Sequence, residues 1–249
     1  MTSPDVHGAD PGPPRAAAGK ASGGPSDPVF IVVPAYNEAP TIRQVIRGLR
    51  QHGYRNIVVV DDGSEDDCGA QAREEGAIVL RHVINRGLGG ALGTGLRAAA
   101  MLGAAIIVTF DGDGQHDPED VRAVVGPIAA GEADLVIGSR IGGRPGMPWY
   151  RLLANHVANF VTRVIFGVRS SDSQSGLRAF SQAAGQRIRI SSNGMEVSSE
   201  ILAEAGRNGL RIAEVPVRAI YTDYSLSKGQ SFRVGVRTAW KLLLAKAQR

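Results

Sequence analysis

The sequence predicts an α/β protein whose largely parallel central sheet is flanked by helices. Three observations predict this class: short β-branched runs alternate with segments of helical periodicity, several runs end in charged residues, and 43% of the 249 residues are hydrophobic. Alternating strands and helices favour parallel pairing with both sheet faces covered. Ligands of such sheets bind beyond the carboxyl ends of the strands, so the residues after each run are candidate site residues.

The first half of the chain contains five predicted strands and four predicted helices. The strands cover residues 29–33, 57–60, 77–81, 105–110 and 133–138. The helices cover residues 41–51, 68–76, 88–102 and 118–130. Pro34 is predicted to end the first strand, because proline cannot donate to a ladder. Apolar residues at 42, 45, 46 and 49 give the first helix one buried face.

The pattern is looser after residue 140. The predicted elements are a helix over 152–166, a strand over 177–181, a helix over 195–208 and a strand over 210–217, with loops over 144–150 and 222–231. Residues 1–28 are rich in Gly, Pro, Ala and Ser and are expected to form a disordered tail. Residues 232–249 alternate basic and apolar residues and predict a basic amphipathic helix. This helix lies either on the protein surface or on an anionic membrane. The folded domain is therefore expected over 29–231.

Composition indicates a compartment and excludes some partners. The chain has one cysteine, and no run approaches the roughly 18–20 apolar residues of a membrane helix, so we expect a reducing, cytoplasmic location. Association with the inner face of the cell membrane is the second expectation. Aromatic residues make up only 5% and no nucleic-acid-binding module is present, which disfavours nucleic acid.

The net charge of +4 divides unevenly along the chain. Residues 1–139 carry 11 basic and 18 acidic residues, a net charge of −7, whereas residues 140–249 carry 17 and 6, a net charge of +11. Such asymmetry indicates different electrostatic roles for the two halves. A basic second half suits a phosphate head group at a membrane, although arginine-rich helices are also common on solvated surfaces.

The segment IIVTFDGDGQHDPED contains the most informative strand end. Asp111 and Asp113 offer hard oxygen ligands of the kind that Mg²⁺ and Mn²⁺ prefer. An EF-hand loop is excluded, because Gln115 and His116 occupy its fifth and sixth positions. Gln115 also disfavours an aspartyl-phosphate phosphatase, which usually has Thr or Val there. A purely structural acidic turn remains an alternative.

Two other segments have both structural and functional interpretations. Asp61 and Asp62 follow the second strand and are predicted to face the cleft, whereas residues 65–67 cap a helix or are solvated. The stretch Gly93–Ala98 matches GxGxxA but does not directly join a strand to the start of a helix. Close packing of this helix, against the sheet or against a nucleotide, is the better explanation for these glycines.

Five motifs occur in order: PAYNE at 34–38, VDDGS at 60–64, NRG at 85–87, DGDGQH at 111–116 and GSR at 138–140. Together with the downstream segments DSQSGLRAF and YSLSKGQS, they resemble family 2 glycosyltransferases over about residues 29–231. The resemblance is greatest to the polyprenol-phosphate (dolichol-phosphate) mannosyl- and glucosyltransferase branch. It implies a Rossmann-like GT-A fold with a C-terminal acceptor-side extension, a GDP- or UDP-linked sugar donor, Mg²⁺ or Mn²⁺, and inversion at the sugar carbon.

The resemblance also implies roles for individual residues. The nucleoside would be held by Pro34, Tyr36, Glu38 and Asp62, with Asp61 nearby and Asp111 close to the ribose and the metal. The metal ligands would be Asp113 and Gln115, together with Asp111. The phosphates would be bound by Arg140, Arg151 and Lys228. Asp172 is the candidate acidic residue of the acceptor side and is predicted to be catalytic together with Arg140; it would be the first candidate for a general base if the acceptor were a hydroxyl, whereas an ionised lipid phosphate needs little help from a base. The chain departs from many relatives at Leu88, where they have Lys, and at Leu177, where they have Phe.

The expected function is therefore an inverting, metal-dependent transfer of a hexose, mannose or glucose, from a nucleoside-diphosphate sugar to a polyprenyl phosphate. Three alternatives stay open at this point. One is the same donor chemistry on a soluble hydroxyl acceptor, such as a cell-surface glycan or a secondary metabolite. Another is a non-catalytic sugar-nucleotide-binding subunit. A nucleotidyltransferase is disfavoured, because PAYNE stands where that class has a Gly-rich loop with a basic residue.

Overall fold

The computed structural model describes residues 28–141, 170–218 and 220, and residues 156–157, 159–160, 163–164 and 167–168 between them. The strands are β1 (Val29–Ala35), β2 (Asn56–Asp61), β3 (Ile78–Arg81), β4 (Ile106–Thr109), β5 (Leu135–Ser139), β6 (Arg178–Ser181) and β7 (Ile212–Pro216). The helices are α1 (Ile42–Gln51), α2 (Cys68–Glu74), α3 (Gly87–Met101), α4 (Val121–Ala129), α5 (Gln182–Arg187) and α6 (Val197–Arg207). A 3-10 turn, Pro118–Asp120, precedes α4.

Several predicted segments lie outside the described residues. These are the tail except Pro28, the loop at 144–150, the loop at 222–231 and the basic helix at 232–249. Of the helix predicted over 152–166, residues 156–157, 159–160 and 163–164 are described and are helical. Helix α5 was not predicted; Ser181 begins it by accepting a hydrogen bond from the Ala184 backbone N–H.

The seven strands form one sheet in the order β3-β2-β1-β4-β6-β5-β7. The pairs β1–β2, β1–β4, β2–β3 and β5–β7 are parallel, which confirms the largely parallel sheet. Strand β6 runs antiparallel to both of its neighbours, β4 and β5. Its first residue, Arg178, therefore lies at the edge where the parallel strands end.

The sequence predicted that β1 ends at Pro34, but the strand continues to Ala35. The Val32 carbonyl accepts from the Phe110 N–H, so the backbone groups of alternate residues, Pro34 included, point towards β4. Pairing with β4 stops at Val32 opposite Thr109, and the missing N–H of Pro34 thus costs no ladder bond. On the other side, Pro34 and Ala35 stay in register with β2.

Helices cover both faces of the sheet. On one face α1, α2 and α4 pack against the sheet, and the four apolar residues predicted to bury α1 are all buried there. Helices α3, α5 and α6 pack on the other face. Within the described residues, no helix is long and apolar enough to cross a membrane.

The glycines of α3 allow the helix to lie close to the sheet. A Cβ placed on Gly95 would lie 2.2 Å from Cγ1 of Val32 and 3.2 Å from Cγ2 of Val60. Contacts that short do not occur between carbon atoms, so only glycine fits at this distance from β1 and β2. Close packing against the sheet, one of the two explanations of the GxGxxA match, is therefore observed at Gly95.

Candidate active site

The charged residues of the motifs lie along one edge of the sheet, where the parallel strands end. Tyr36 follows β1, Asp62 follows β2, the turn with Asp111 and Asp113 follows β4, and Arg140 follows β5. The ligand site of a doubly wound sheet is found at this position. The antiparallel β6 brings the preceding loop, with Asp172, to the same edge.

The acidic turn after β4 is held by its own side chains. Asp113 accepts from the Gln115 backbone N–H at 3.0 Å and from the Gln115 side-chain amide at 2.5 Å. Asp111 Oδ2 lies 3.0 Å from Nε2 of His116, a buried ring that packs edge-on against Phe110. Gln115 and both aspartates therefore meet in one turn, as predicted. His116 was not predicted as a partner of Asp111, although its position five residues later could have suggested it.

The two carboxylates differ in their proton affinity. Burial and the nearby charge of Asp111 raise the pKa of Asp113 to about 6. Burial also acts to raise the pKa of Asp111. The hydrogen bond and charge of His116 and the charges of Arg140 and Arg178 outweigh burial, and the pKa of Asp111 is lowered. The repulsion felt by Asp113 is of the kind that a bound cation relieves.

The donor set of this turn fits Mg²⁺ or Mn²⁺. Among the described residues, no group of three or more His, Cys, Asp or Glu side chains could hold a metal by itself. Sites for Mg²⁺ often use one or two carboxylates and complete the shell with water and substrate phosphate oxygens. Asp111 and Asp113, with the Gln115 amide, match that kind of site.

The end of β1 forms the neighbouring wall. Tyr36 is 42% exposed, so its ring is accessible at this edge. Glu38 reaches the acidic turn: Thr41 donates both to Glu38 Oε2 at 3.3 Å and to the Gly112 carbonyl at 2.7 Å. Pro34 is buried in the strand beneath. These three residues lie where the resemblance would place them, and their binding of a nucleoside stays a prediction.

The sequence predicted that Asp61 and Asp62 face the cleft, but both carboxylates are buried in protein. Asp61 accepts from the Ser64 N–H at 2.9 Å, and its Oδ2 lies against Gly69 of α2. Asp62 accepts from His82 Nδ1 at 2.6 Å and from two backbone N–H groups that begin α3. Asp62 therefore shapes this side of the site by fixing the 82–87 loop; its direct contact with a nucleoside remains a prediction.

Arg140 and Asp172 form a bidentate ion pair at the end of β5. Arg140 Nε donates to Asp172 Oδ2 at 2.7 Å and Nη2 donates to Oδ1 at 2.8 Å. The Arg140 backbone N–H adds a third bond to Oδ2 at 2.9 Å. The Arg140 side chain remains 18% exposed, whereas Asp172 is fully buried. Asp172 is therefore a buried partner of Arg140, and its catalytic role stays a prediction.

Arg178, which follows Asp172 in the acceptor-side motif DSQSGLRAF, is a buried cation to which the sequence analysis assigned no role. It begins β6 between Thr109 of β4 and Ile137 of β5 and is 1% exposed. Its Nη2 donates to the Ser173 carbonyl at 2.9 Å, and its Nε has no hydrogen-bond partner within the described part of the chain. Burial lowers the pKa of Arg178 to about 10, against the raising effect of Asp111 and Asp172. The signal available in the sequence was the position of Arg178 in the segment SGLRAF, shortly after Asp172.

Arg218, also not predicted, ties the end of β7 to the turn after the acidic motif. Its side chain pairs with Asp117, Glu119 and Asp120, and its backbone N–H donates to Asp120 at 2.7 Å. Two residues later, the Ile220 N–H donates to the Gln115 carbonyl at 2.9 Å. The segment after β7 therefore braces the loop that carries Gln115. The predicted phosphate-binding residues Arg151 and Lys228 lie outside the described residues.

Comparison with known proteins places this arrangement among transferases. Residues 30–189 match the model of the family described as "Glycosyl transferase family 2". The chain is 38% identical over 240 residues to a UDP-N-acetylglucosamine–dolichyl-phosphate N-acetylglucosaminyltransferase of Methanococcus voltae, covering 88% of this chain and 96% of the relative. It is 31% identical over 218 residues to a polyprenol monophosphomannose synthase of Mycolicibacterium smegmatis, with 82% of each chain covered.

The fold has a similar match among solved structures. The glucosyl-3-phosphoglycerate synthase of Mycobacterium tuberculosis, solved with Mn²⁺, UDP and phosphoglyceric acid, superposes with a TM-score of 0.69. The superposition covers 89% of this chain and 78% of the synthase, at 24% identity. At this identity the likeness concerns the fold, and it confirms the expected GT-A-like architecture.

Proposed function

This chain belongs to glycosyltransferase family 2, and on that premise we propose that it transfers a hexose from a nucleoside-diphosphate sugar to a polyprenyl phosphate, with inversion at the sugar carbon. One observation carries the proposal. The acidic turn of β4 and the arginine of β5 lie at the same sheet edge, separated only by β6. This arrangement supports a divalent-cation site next to a phosphate-binding guanidinium, which suits a transfer between two phosphate-bearing substrates.

The names of the relatives support the lipid phosphate acceptor. One relative is named for dolichyl phosphate and another for polyprenol monophosphomannose. Mannose and glucose are the sugars predicted from the sequence, and the name of the first relative adds N-acetylglucosamine to the candidates. The donor is linked to GDP or UDP. A peripheral contact with the inner face of the membrane follows from this acceptor, because the phosphate of such a lipid lies at the bilayer surface.

The proposed roles follow the geometry of the edge. Asp111, Asp113 and Gln115 would hold Mg²⁺ or Mn²⁺, an assignment supported by the structural neighbour, which was solved with Mn²⁺ and UDP bound. The cation, when bound, neutralises negative charge on the leaving diphosphate. Tyr36 offers a ring for stacking on the base, and Glu38 offers a carboxylate to the nucleoside. Arg140 binds a phosphate of the donor or the acceptor.

The acceptor brings its own nucleophile. The second pKa of a phosphate monoester is about 6, so a polyprenyl phosphate is largely ionised near neutral pH. Its oxyanion can attack the sugar carbon without losing a proton to the protein. Arg140 then contributes by orienting the phosphate, which lowers the entropy cost of bringing the two substrates together.

The test is a transfer assay on the full-length protein. The protein is incubated with Mn²⁺ or Mg²⁺, with GDP-mannose, UDP-glucose or UDP-N-acetylglucosamine, and with undecaprenyl phosphate or a soluble hydroxyl acceptor. We expect release of nucleoside diphosphate together with a glycosylated lipid phosphate seen by mass spectrometry. Transfer only to the hydroxyl acceptor, release of pyrophosphate, or binding of the donor without turnover would each contradict the proposal.

A further inference from the structure

The Arg140–Asp172 pair is built to hold a guanidinium in one orientation. Both carboxylate oxygens of Asp172 accept from the Arg140 side chain, at 2.7 and 2.8 Å, and the backbone N–H of the same arginine binds at 2.9 Å. Side-on pairing of this kind fixes the plane of the guanidinium group. A free arginine side chain has a large rotamer entropy, which is lost before any substrate arrives when the pair is already formed.

The loop that carries Asp172 is anchored on both sides of this residue. Ser171 donates to Glu214 of β7 from its backbone N–H at 2.9 Å and from its hydroxyl at 2.5 Å. Ser173 donates from its backbone N–H to Asn159 at 2.9 Å, and its carbonyl accepts from Arg178 at 2.9 Å. The position of Asp172 is therefore set by elements other than Arg140.

Arg178 supplies the charge balance beneath the pair. Its buried guanidinium interacts electrostatically with Asp111 and Asp172, and Arg140 acts on it as a like charge. Two cations and two carboxylates thus share the space between the ends of β4 and β5.

From these contacts we infer that Asp172 is a positioning residue, which holds Arg140 towards the acceptor phosphate, and not the general base of the transfer. This inference rests on the proposed function, because it assumes an acceptor that is already ionised. The basic atom must come within about 2.6–3.2 Å of the heavy atom that carries the proton it removes. Asp172 is fully buried and engages both oxygens with Arg140, whereas the Arg140 side chain reaches the surface of the edge.

A double-mutant cycle tests the inference with undecaprenyl phosphate as acceptor. We expect Asp172→Asn to raise KM for the lipid at least about tenfold, as loss of an orienting partner does, with kcat changed less than about threefold. In an Arg140→Ala background the same change should have less than about a twofold effect, because the two residues act as one unit. Asp172→Glu, which keeps the charge, should recover part of the lost affinity. A loss of kcat above about 100-fold in Asp172→Asn, or effects that multiply in the double variant, would overturn the inference.

The wild-type protein provides a second measurement that does not depend on the folding of a variant. The acid limb of the pH–rate profile should follow the ionisation of the acceptor. It should therefore move to higher pH when the phosphate, with its pKa of about 6, is replaced by a phosphonate analogue of higher pKa. The profile is measured at saturating Mn²⁺, which keeps the proposed metal ligand Asp113 ionised; an acid limb that then stays at the same pH for both acceptors would indicate an enzyme base and overturn the inference.

The outcomes also separate this inference from the proposed function. Transfer by the wild-type protein to a hydroxyl acceptor alone would refute both, because a hydroxyl needs a base. Transfer to undecaprenyl phosphate, with independent effects of Asp172→Asn and Arg140→Ala, would refute the positioning role while leaving the function intact.

Discussion

Replacing Gly95 by alanine should destabilise the protein, whereas the same change two residues earlier should not. The Cβ of alanine at Gly95 would lie 2.2 Å from Cγ1 of the fully buried Val32, so α3 or β1 must move by about an ångström. Val32 is β-branched and stiff about χ1, and it cannot easily rotate away. At Gly93 the new Cβ would lie 3.7 Å from the Ile190 side chain, which is an ordinary contact.

The expected changes in the free energy of unfolding have opposite signs in the two variants. At a contact as short as 2.2 Å, overpacking costs about 2–3 kcal/mol, the upper part of its usual range, and alanine regains about 1 kcal/mol of helix propensity, which leaves Gly95→Ala destabilised by about 1–2 kcal/mol. For a domain of this size, that lowers Tm by about 2–8 °C. Gly93→Ala should gain about 0.5–1 kcal/mol from helix propensity alone.

Thermal unfolding followed by circular dichroism measures both variants against the wild-type protein. Binding of UDP or GDP in the presence of Mn²⁺ is measured in parallel. We expect Gly93→Ala to keep nucleotide binding, because an alanine Cβ at this position makes only one ordinary contact, with the side chain of Ile190. Equal melting temperatures for the two variants, or loss of nucleotide binding in a Gly93→Ala protein of normal stability, would refute the packing explanation.

Three further predictions concern metal, pH and the thiol. Asp113→Asn should raise the Mn²⁺ concentration needed for half-maximal activity at least about tenfold, and chelation with EDTA should abolish wild-type activity until Mn²⁺ or Mg²⁺ is restored; unchanged metal dependence would contradict the ligand role. Burial acts to raise the pKa of Glu200. Hydrogen bonds from the backbone and side chains of Ser191 and Ser192 outweigh burial, and the pKa is lowered. Its contribution to stability is therefore complete above the unfolded pKa of about 4.3 and lost as the pH falls through the lower folded value, so Glu200→Gln should cost about 1–2 kcal/mol at pH 7 and progressively less as the pH falls below about 4 in urea titrations. Burial raises the pKa of the Cys68 thiol to about 11, so iodoacetamide should alkylate it at pH 8 only after unfolding, and rapid labelling of the native protein would contradict its burial.

The order of the elements and the metal-type turn could be predicted from the sequence. Helix α1 shows the reason: its buried positions repeat at the period of a helix, and the periodicity depends only on neighbours along the chain. The acidic turn is likewise local, since Asp111, Asp113 and Gln115 follow one another at intervals of two residues. Its hydrogen bonds join Asp113 to Gln115 within the same turn. Pro34 was misjudged for the converse reason, because its effect on β1 depends on where the neighbouring strand β4 ends.

The sequence by itself therefore determined the α/β class, the sites at the strand ends and the resemblance to a transferase family, all of which are read from short contiguous segments. Only the tertiary structure decided which charges meet. Strand β6 inserts antiparallel between β4 and β5, and it buries Arg178 between the acidic turn and Arg140. Arg140 and Asp172 are separated by 32 residues and pair because β6 returns its preceding loop to the same edge. Periodicity carries no information about such long-range pairings, since they depend on strand order and direction, and these are set by packing of the whole sheet.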